Sequence, residues 1–375
     1  STTGTASGTT LTVDQTVPEV SSANSATANG TYNSGDDISV YVIFNEVVTV
    51  TGTPTLELET GASDDSVNYS SGSGGYLLYF NYTVGSGDNS SDLDYTSTSA
   101  LSLNGGTIND AAGNPATLTL ATPGASNSLG SNKALVVDTT VPTLSAVSIA
   151  SDNSTNTLAT TGDVVTLTIT ANETISTPTV TFTSGGAAIN DTSITYSNTS
   201  GNTWTAAYTA DADDTNGLVT FSVAFSDSVG NAGTAVTAVT NGTSVTFDDT
   251  IPTLSSVAIA SNNSTNTLAK VNDVITLTLT ANETISTPTV TFTSGGDAIN
   301  DGSITYNNTS GNTWTAKYTA NTGDTEGAVA YSIAFSDSAG NAGVAVTSGS
   351  GSVTFDKTAP TISTSSIASD NSTAT

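Results

Sequence analysis

The chain has 375 residues, of which 33 are acidic and four are basic, so its formal net charge is -29. The four cations are all lysines, and the chain contains no histidine and no cysteine. Charge of this sign argues against a nucleic-acid partner and an anionic membrane surface, because both need clustered cations. Without His, Cys and Arg, catalytic triads, thiolate metal ligands and disulfides are excluded as well.

The residue pattern predicts short β-strands. In the middle of the chain, Val165, Leu167 and Ile169 alternate with threonines, as in a strand that is buried on one face. No stretch has the periodicity of an amphipathic helix or the roughly 18 consecutive apolar residues of a membrane span. The sequence therefore predicts an all-β chain with no direct membrane insertion in this segment.

One unit is repeated along the chain. The sequence ANETISTPTVTFTSGG occurs at 171–186 and again at 281–296, and the similarity extends over a period of about 110 residues. That period is the size of one immunoglobulin-like sandwich. We therefore predict tandem immunoglobulin-like Greek-key β-sandwiches in an extended array.

A linker motif marks each boundary between units. An apolar residue followed by Asp-x-Thr-x-Pro occurs at 13–18, 137–142, 247–252 and 355–360. Proline lacks an N–H and holds the residue before it extended, so we expect short, stiff crossings between domains. The predicted division is 1–13, the last strand of a preceding repeat; 14–137, a diverged domain; 138–247 and 248–355, two repeats; and 356–375, the first strand of a following repeat.

The first unit has diverged but keeps the landmarks of the other two. Gly35-Asp36 is followed by Glu46, as Gly162-Asp163 is followed by Glu173. The run from Asp110 to Asn114 likewise matches the Asp-x-x-Gly-Asn run of the later repeats. We expect the same fold with longer loops.

Three acidic segments recur in every unit: the linker Asp, an Asn-Glu pair after the second strand, and the Asp-x-x-Gly-Asn run after the sixth. In an immunoglobulin topology all three lie at one pole of the sandwich. Several hard oxygen donors held close together suit Ca²⁺, which takes six to eight such ligands, better than Mg²⁺. The predicted calcium ligands are Asp14, Asn45, Glu46, Asp110 and Asn114 in the first unit, Asp138, Asn172, Glu173, Asp227 and Asn231 in the second, and Asp248, Asn282, Glu283, Asp337 and Asn341 in the third.

The alternative for these residues is that Asp and Asn only shape loops, as they do in Asx-turns. Acids at the opposite pole, around Asp152 and Asp211, change between the near-identical repeats and are predicted to lie in solvated loops.

Carboxylates that recur in every repeat are typical of structural ligands, whereas a hydrolase has a single pair of catalytic acids. We therefore predict that the chain is not an enzyme. Trp204 and Trp314 are in phase with apolar strand faces and are predicted to pack in the core.

The two later repeats resemble bacterial immunoglobulin-like repeats of giant surface adhesins in their Asp-x-Thr-x-Pro junctions and their Asp-Ser-x-Gly-Asn-Ala-Gly loop. The first unit is similar to a calcium-associated repeat of prokaryotic surface proteins through Phe44-Asn-Glu-Val-Val, Gly52-Thr-Pro-Thr-Leu and the run from Asp92-Leu-Asp-Tyr to Gly105-Gly-Thr-Ile-Asn-Asp. The resemblance implies an extracellular or cell-surface location, which the absence of cysteine fits in a prokaryote. Asn-x-Ser/Thr sequons, Asn29 and Asn68 among them, are only modestly more frequent than the composition predicts.

Such modules occur in several structural settings, so three roles stay open. The chain is a calcium-rigidified stalk segment of an adhesin whose partners are the neighbouring repeats, or a surface-layer or filament subunit that self-associates. The third role is a glycan-binding module, for which the predicted place is a cluster of Tyr69, Tyr76, Tyr79 and Tyr82 in the first unit.

Overall fold

The computed structural model describes residues 13–191 and 193–370. Within these residues the chain forms three consecutive β-sandwiches, each around its own buried apolar core. The fold predicted from the repeat, tandem immunoglobulin-like sandwiches of the all-β class, is confirmed. No helix in the described ranges has the length and apolar character needed to cross a membrane.

The second domain shows the strand order most clearly. Its sheets have the orders β11-β13-β17-β16 and β12-β19-β18-β14-β15, and β12 runs parallel to β19 at the edge of the second sheet. The strands are β11 (Leu144–Ser151), β12 (Leu158–Ala159), β13 (Val164–Ala171), β14 (Thr179–Ser184), β15 (Ala187–Ala188), β16 (Thr195–Ser200), β17 (Thr203–Thr209), β18 (Gly217–Ala224) and β19 (Thr246–Phe247), numbered from the start of the chain. This is the two-sheet Greek-key arrangement of immunoglobulin domains.

The alternation in the sequence explains how this sandwich packs. On β13 the residues Val165, Leu167 and Ile169 are buried, while the threonines between them face outward. Trp204 stands opposite Ile169 on β17 and packs against the core, as the sequence predicts, and Trp314 does the same in the third domain. A one-residue slip would turn every one of these side chains to the other face, so burial fixes the register.

The third domain repeats the second strand for strand. Its two sheets have the orders β20-β22-β26-β25 and β21-β28-β27-β23-β24. The strands are β20 (Leu254–Ser261), β21 (Leu268–Ala269), β22 (Val274–Ala281), β23 (Thr289–Ser294), β24 (Asp297–Ala298), β25 (Thr305–Ser310), β26 (Thr313–Thr319), β27 (Gly327–Ala334) and β28 (Thr354–Phe355).

The first domain is a sandwich of a seven-stranded and a three-stranded sheet. The larger sheet has the order β1-β3-β6-β5-β4-β8 with β9 also paired to β3, and the smaller has the order β2-β10-β7. Its elements are β1 (Val20–Ser25), β2 (Gly30–Tyr32), β3 (Asp37–Thr51), β4 (Thr55–Leu58), β5 (Asp65–Ser71), β6 (Gly75–Thr83), β7 (Asn89–Ser90), β8 (Leu101–Ser102), β9 (Thr107–Asn109), α1 (Leu129–Asn132) and β10 (Leu135–Asp138). More than the loops has therefore changed: β3 is a 15-residue strand that serves two partners.

Two predicted boundary features lie partly outside the described ranges. Residues 1–12, predicted to form the last strand of a preceding repeat, are not described, and neither are 371–375. The described residues 356–370 are exposed and belong to no strand, so a following repeat stays a prediction. Between the first and second domains, β10 includes Asp138, which therefore ends one domain and begins the linker to the next.

Candidate metal centres at the domain junctions

The same three carboxylates meet at one pole of each sandwich. They form the trios Asp14, Glu46, Asp110; Asp138, Glu173, Asp227; and Asp248, Glu283, Asp337. In each trio, one oxygen from every residue lies within 4.8 Å of the oxygens of the other two. In the second domain the linker, the segment after β13 and the loop after β18 bring them together, and in the third domain the linker and the segments after β22 and β27 do the same.

The first domain reaches this arrangement by a different local route. Asn45 and Glu46 lie inside β3 and not after it, contrary to the expectation that the pair ends a strand. The pairing of β3 with β6 is irregular between Ile43 and Val48, and this irregularity contains Asn45 and Glu46. A bulge of this kind re-aims side chains within a continuous strand.

The loop Asp is held by its own loop. Oδ1 of Asp227 accepts the backbone N–H groups of Val229, Gly230 and Asn231 at 3.0, 2.8 and 2.8 Å. Gly230 has a φ of +103°, which a residue with a side chain rarely adopts, so the motif requires glycine there. Nδ2 of Asn231 donates to the other oxygen, Oδ2, at 2.8 Å. The loop-shaping alternative therefore describes hydrogen bonds to both oxygens of this carboxylate.

The Asp-x-x-Gly-Asn loop of the first domain has the same construction. Burial raises the pKa of Asp110, but hydrogen bonds from Asn114, Gly113 and Ala112 outweigh that effect and hold the pKa below its ordinary value. The loop thus keeps its carboxylate ionised, which is the form that binds a cation.

The glutamate of each trio lacks the backbone hydrogen bonds that hold the loop Asp. Oε1 of Glu46, Glu173 and Glu283 is buried and has no hydrogen-bond partner. Burial raises the pKa of Glu173 above its ordinary value of 4.5, the charges of Asp138 and Asp227 raise it further, and a hydrogen bond from Asn172 only partly opposes them. The pKa of Glu283 is raised by the equivalent groups, and that of Glu46 by burial, Asp14 and Asp110. A buried, unpaired carboxylate oxygen beside two other carboxylates is costly unless a cation joins them.

The predicted asparagine ligands are engaged in hydrogen bonds that build the pole. Oδ1 of Asn45, Asn172 and Asn282 accepts the N–H of Glu19, Thr143 and Thr253 at 2.9, 2.6 and 2.7 Å. Nδ2 of Asn114, Asn231 and Asn341 donates to the backbone carbonyl of the linker residues Asp14, Asp138 and Asp248 at 3.1, 2.9 and 2.7 Å. These amides fix the linker and the first strand against the carboxylates.

The geometry of each trio would allow one metal ion to contact all three carboxylates. Oxygens bound to one ion at about 2.4 Å lie at most about 4.8 Å apart, which the trios satisfy, and three carboxylates leave room for carbonyl or water ligands. The ion pair recorded among the described residues joins Lys270 to Asp273, so lysine pairing does not neutralise any trio. The donor set is all oxygen and formally carries three negative charges, which fits a hard divalent cation.

A further residue that sequence reasoning missed holds each of the three later linkers from the domain before it. Oδ1 of Asn216 accepts the N–H of Asp249 at 2.8 Å, and its Nδ2 donates to Oγ1 of Thr250 at 3.1 Å. Asn89 and Glu326 accept the corresponding linker groups in the other domains. In the later repeats the only feature of the sequence that could have indicated these linker contacts is a polar residue directly before the first glycine of β18 and of β27.

The other candidate sites do not assemble. The two oxygens of the buried Asp214 at the opposite pole accept the backbone N–H of Asn190, in the segment between β15 and β16, and that of Asp211, in its own loop. The four tyrosines of the first domain are not one surface cluster, because Tyr82 is buried with its hydroxyl on Asp88 and Tyr69 packs edge-on against Phe80. The glycan-binding alternative therefore loses the cluster on which it depended.

Comparison with known proteins identifies no family. No protein-family model matches the sequence, and no curated protein matches it either. Among solved structures, an I-band fragment of titin is similar at 9% identity and a TM-score of 0.33, covering 92% of this chain and 100% of that chain. The N-terminal eight Ig domains of the Down Syndrome Cell Adhesion Molecule are similar at 12% identity and a TM-score of 0.27, covering 90% of this chain and 36% of that one. The class of fold, tandem immunoglobulin-like sandwiches, rests on the strand order described above.

Proposed function

We propose that this chain is a structural segment of an extracellular or cell-surface protein in which calcium ions at the domain junctions hold consecutive sandwiches in line. The observation that supports it best is the buried Glu oxygen without a partner, which recurs beside two aspartates in all three domains. The first domain has diverged in sequence but keeps all three carboxylates. One ion bound by all three explains this better than a separate structural role for each carboxylate in its own segment.

In this proposal the three carboxylates are the protein ligands and the asparagines are positioning residues. The ion offsets two of the three negative charges of the trio, whose members come from the linker and from two segments of the following domain. Because Asp138 also ends the last strand of the preceding domain and Asp248 directly follows the last strand of its own preceding domain, an ion bound there restricts the angle between the domains. The partners are the neighbouring repeats, and the setting is an adhesin stalk or, as the second candidate, a surface layer or filament.

Calcium titration of the whole chain by calorimetry tests this proposal. We expect three calcium ions per chain, with magnesium at the same ionic strength competing weakly. The matched variant carries Glu46→Gln, Glu173→Gln and Glu283→Gln, which keep the side-chain shape and remove one charge from each trio. Calcium binding that this triple variant leaves intact, or that magnesium reproduces, reflects only the diffuse charge of the chain and contradicts the proposal.

A further inference from the structure

One backbone carbonyl of the Asp-x-x-Gly-Asn loop faces the preceding domain. At the first junction, Nδ2 of Asn33 donates to the carbonyl of Val229 at 2.7 Å. At the second, Nδ2 of Asn153 donates to the carbonyl of Ala339 at 2.8 Å. Val229 and Ala339 occupy the same position in the two loops, the third residue of the motif.

The two donors come from different positions in their domains. The backbone N–H of Asn33 donates to Asp36 just as the N–H of Thr160 donates to Asp163, so Asn33 corresponds to Thr160 and not to Asn153. The diverged first domain thus supplies an asparagine amide to the same carbonyl from another loop position. The acceptor is constant while the donor changes, which marks this carbonyl as a docking point between domains.

The docked loop is also the one that carries the buried Asp of the trio. Oδ1 of Asp227 accepts the N–H of Val229, the residue whose carbonyl Asn33 holds. At the second junction the hydroxyl of Thr160 additionally donates to Oδ1 of Asn341, whose amide holds the linker carbonyl of Asp248. The loop therefore contributes a carboxylate to the trio on one side and contacts the preceding domain on the other.

We propose that Asn33 and Asn153 are interdomain docking residues that position the carboxylate-bearing loop of the following domain. Each junction then has a contact that needs no ion, and the preceding domain strengthens ion binding by holding the loop in place. The coupling to the ion rests on the proposed function, whereas the docking contact itself does not.

The chain contains a matched control in Asn263 of the third domain. Nδ2 of Asn263 donates to Oδ2 of Asp273 at 2.7 Å, as Nδ2 of Asn153 does to Oδ2 of Asp163 at 2.7 Å. Their backbone N–H groups both donate to a serine hydroxyl at 3.1 Å. Within the described ranges Asn263 makes no contact across a junction, so Asn263→Ala removes the local bonds alone.

The experiment measures the distance between domains two and three in the whole chain. Because the chain has no cysteine, spin labels are placed cleanly at the exposed positions Ser197→Cys and Asn307→Cys. Distance distributions are recorded in chelator and in calcium for the parent, Asn153→Ala and Asn263→Ala. In chelator, Asn153→Ala is expected to broaden the distribution and Asn263→Ala to leave it unchanged.

Calcium titration of the same three proteins supplies the second readout. Asn153→Ala is expected to weaken one of the three sites by about twofold to tenfold, the effect of one neutral hydrogen bond, and Asn263→Ala to weaken none. In the distance measurement, distributions of equal width for Asn153→Ala and Asn263→Ala in chelator would overturn the docking role. If no protein binds calcium, the proposed function fails, but the distances in chelator still decide the docking role. Cooperative unfolding of both variants at a midpoint above the temperature of these measurements shows that neither is misfolded.

Discussion

Glu173 stands in an environment that opposes its own charge. Its Oε1 is buried without a partner, and Asp138 and Asp227 both raise its pKa after burial has done so. A group whose pKa is raised on folding binds its proton more tightly in the folded chain than in the unfolded one. Stability without an ion therefore falls as pH rises above about 4.5, the ordinary value, and the loss is complete above the folded-state pKa.

Replacing Glu173 by Gln separates the cost of the charge from its use as a ligand. In chelator at neutral pH, we expect Glu173→Gln to raise the thermal midpoint, and the advantage to shrink as pH falls towards 4.5, because protonation neutralises the parent side chain as well. In calcium we expect the opposite order, since loss of a site held at a hundredfold excess over Kd removes about 2.7 kcal/mol.

The control for this prediction is Glu57→Gln, which removes an exposed carboxylate outside the trios. It should change neither the midpoint in chelator nor the gain from calcium by more than a small amount. A Glu173→Gln variant that is less stable than the parent in both conditions would show that the glutamate has a structural role that no ion explains.

At the scale of the element, the segment after β18 folds back onto it and closes the pole. Gly233 donates its N–H to the carbonyl of Phe225 at 3.0 Å, and Val236 and Val223 exchange hydrogen bonds of 2.9 and 3.1 Å. A Cβ added at Gly233 would lie 2.2 Å from Cε2 of Phe225 and 2.8 Å from the carbonyl oxygen of Pro142. The glycine is therefore required by close packing against the Phe225 ring and the carbonyl of the linker proline.

We predict that Gly233→Ala destabilises the second domain by about 1–3 kcal/mol, the usual cost of overpacking. The matched change is Gly302→Ala, where an added Cβ meets no atom within 4 Å and the effect should stay within about 0.5 kcal/mol. Thermal unfolding of both variants in chelator measures this. Equal midpoints would mean that the return segment is loosely packed and does not set the position of the linker.

The sequence predicts the strands more completely than the contacts between domains. The alternation of Val165, Leu167 and Ile169 with threonines defines β13, because burial of one face imposes a period of two. The hydrogen bonds of Asn172 and Asn231 to the linker segment could not be predicted from the sequence, because the direction of each side-chain amide depends on a linker that is distant in the chain. The same holds for the docking donors, since Asn33 and Asn153 occupy unrelated positions in sequence.

At the scale of the whole molecule, two effects of cations must be separated. A net charge of -29 makes any salt favour compact or closely spaced domains by general screening. Ions bound at the three trios act differently, because they depend on the chemistry of the cation and on particular glutamates. Fixed ionic strength with exchange of the cation isolates the second effect.

Small-angle scattering of the whole chain at fixed ionic strength, in calcium and then in chelator, tests the central claim most directly. A β-strand rises about 3.3 Å per residue, and this rise sets the length of each sandwich. Three sandwiches in line are therefore expected to reach a length on the order of 110 Å. We predict a rod of that length in calcium that becomes more flexible in chelator, and a variant with Glu46→Gln, Glu173→Gln and Glu283→Gln that has the flexibility of the chelator state in both conditions. A compact particle in calcium, or a rod whose flexibility is the same in chelator and calcium, would contradict the account.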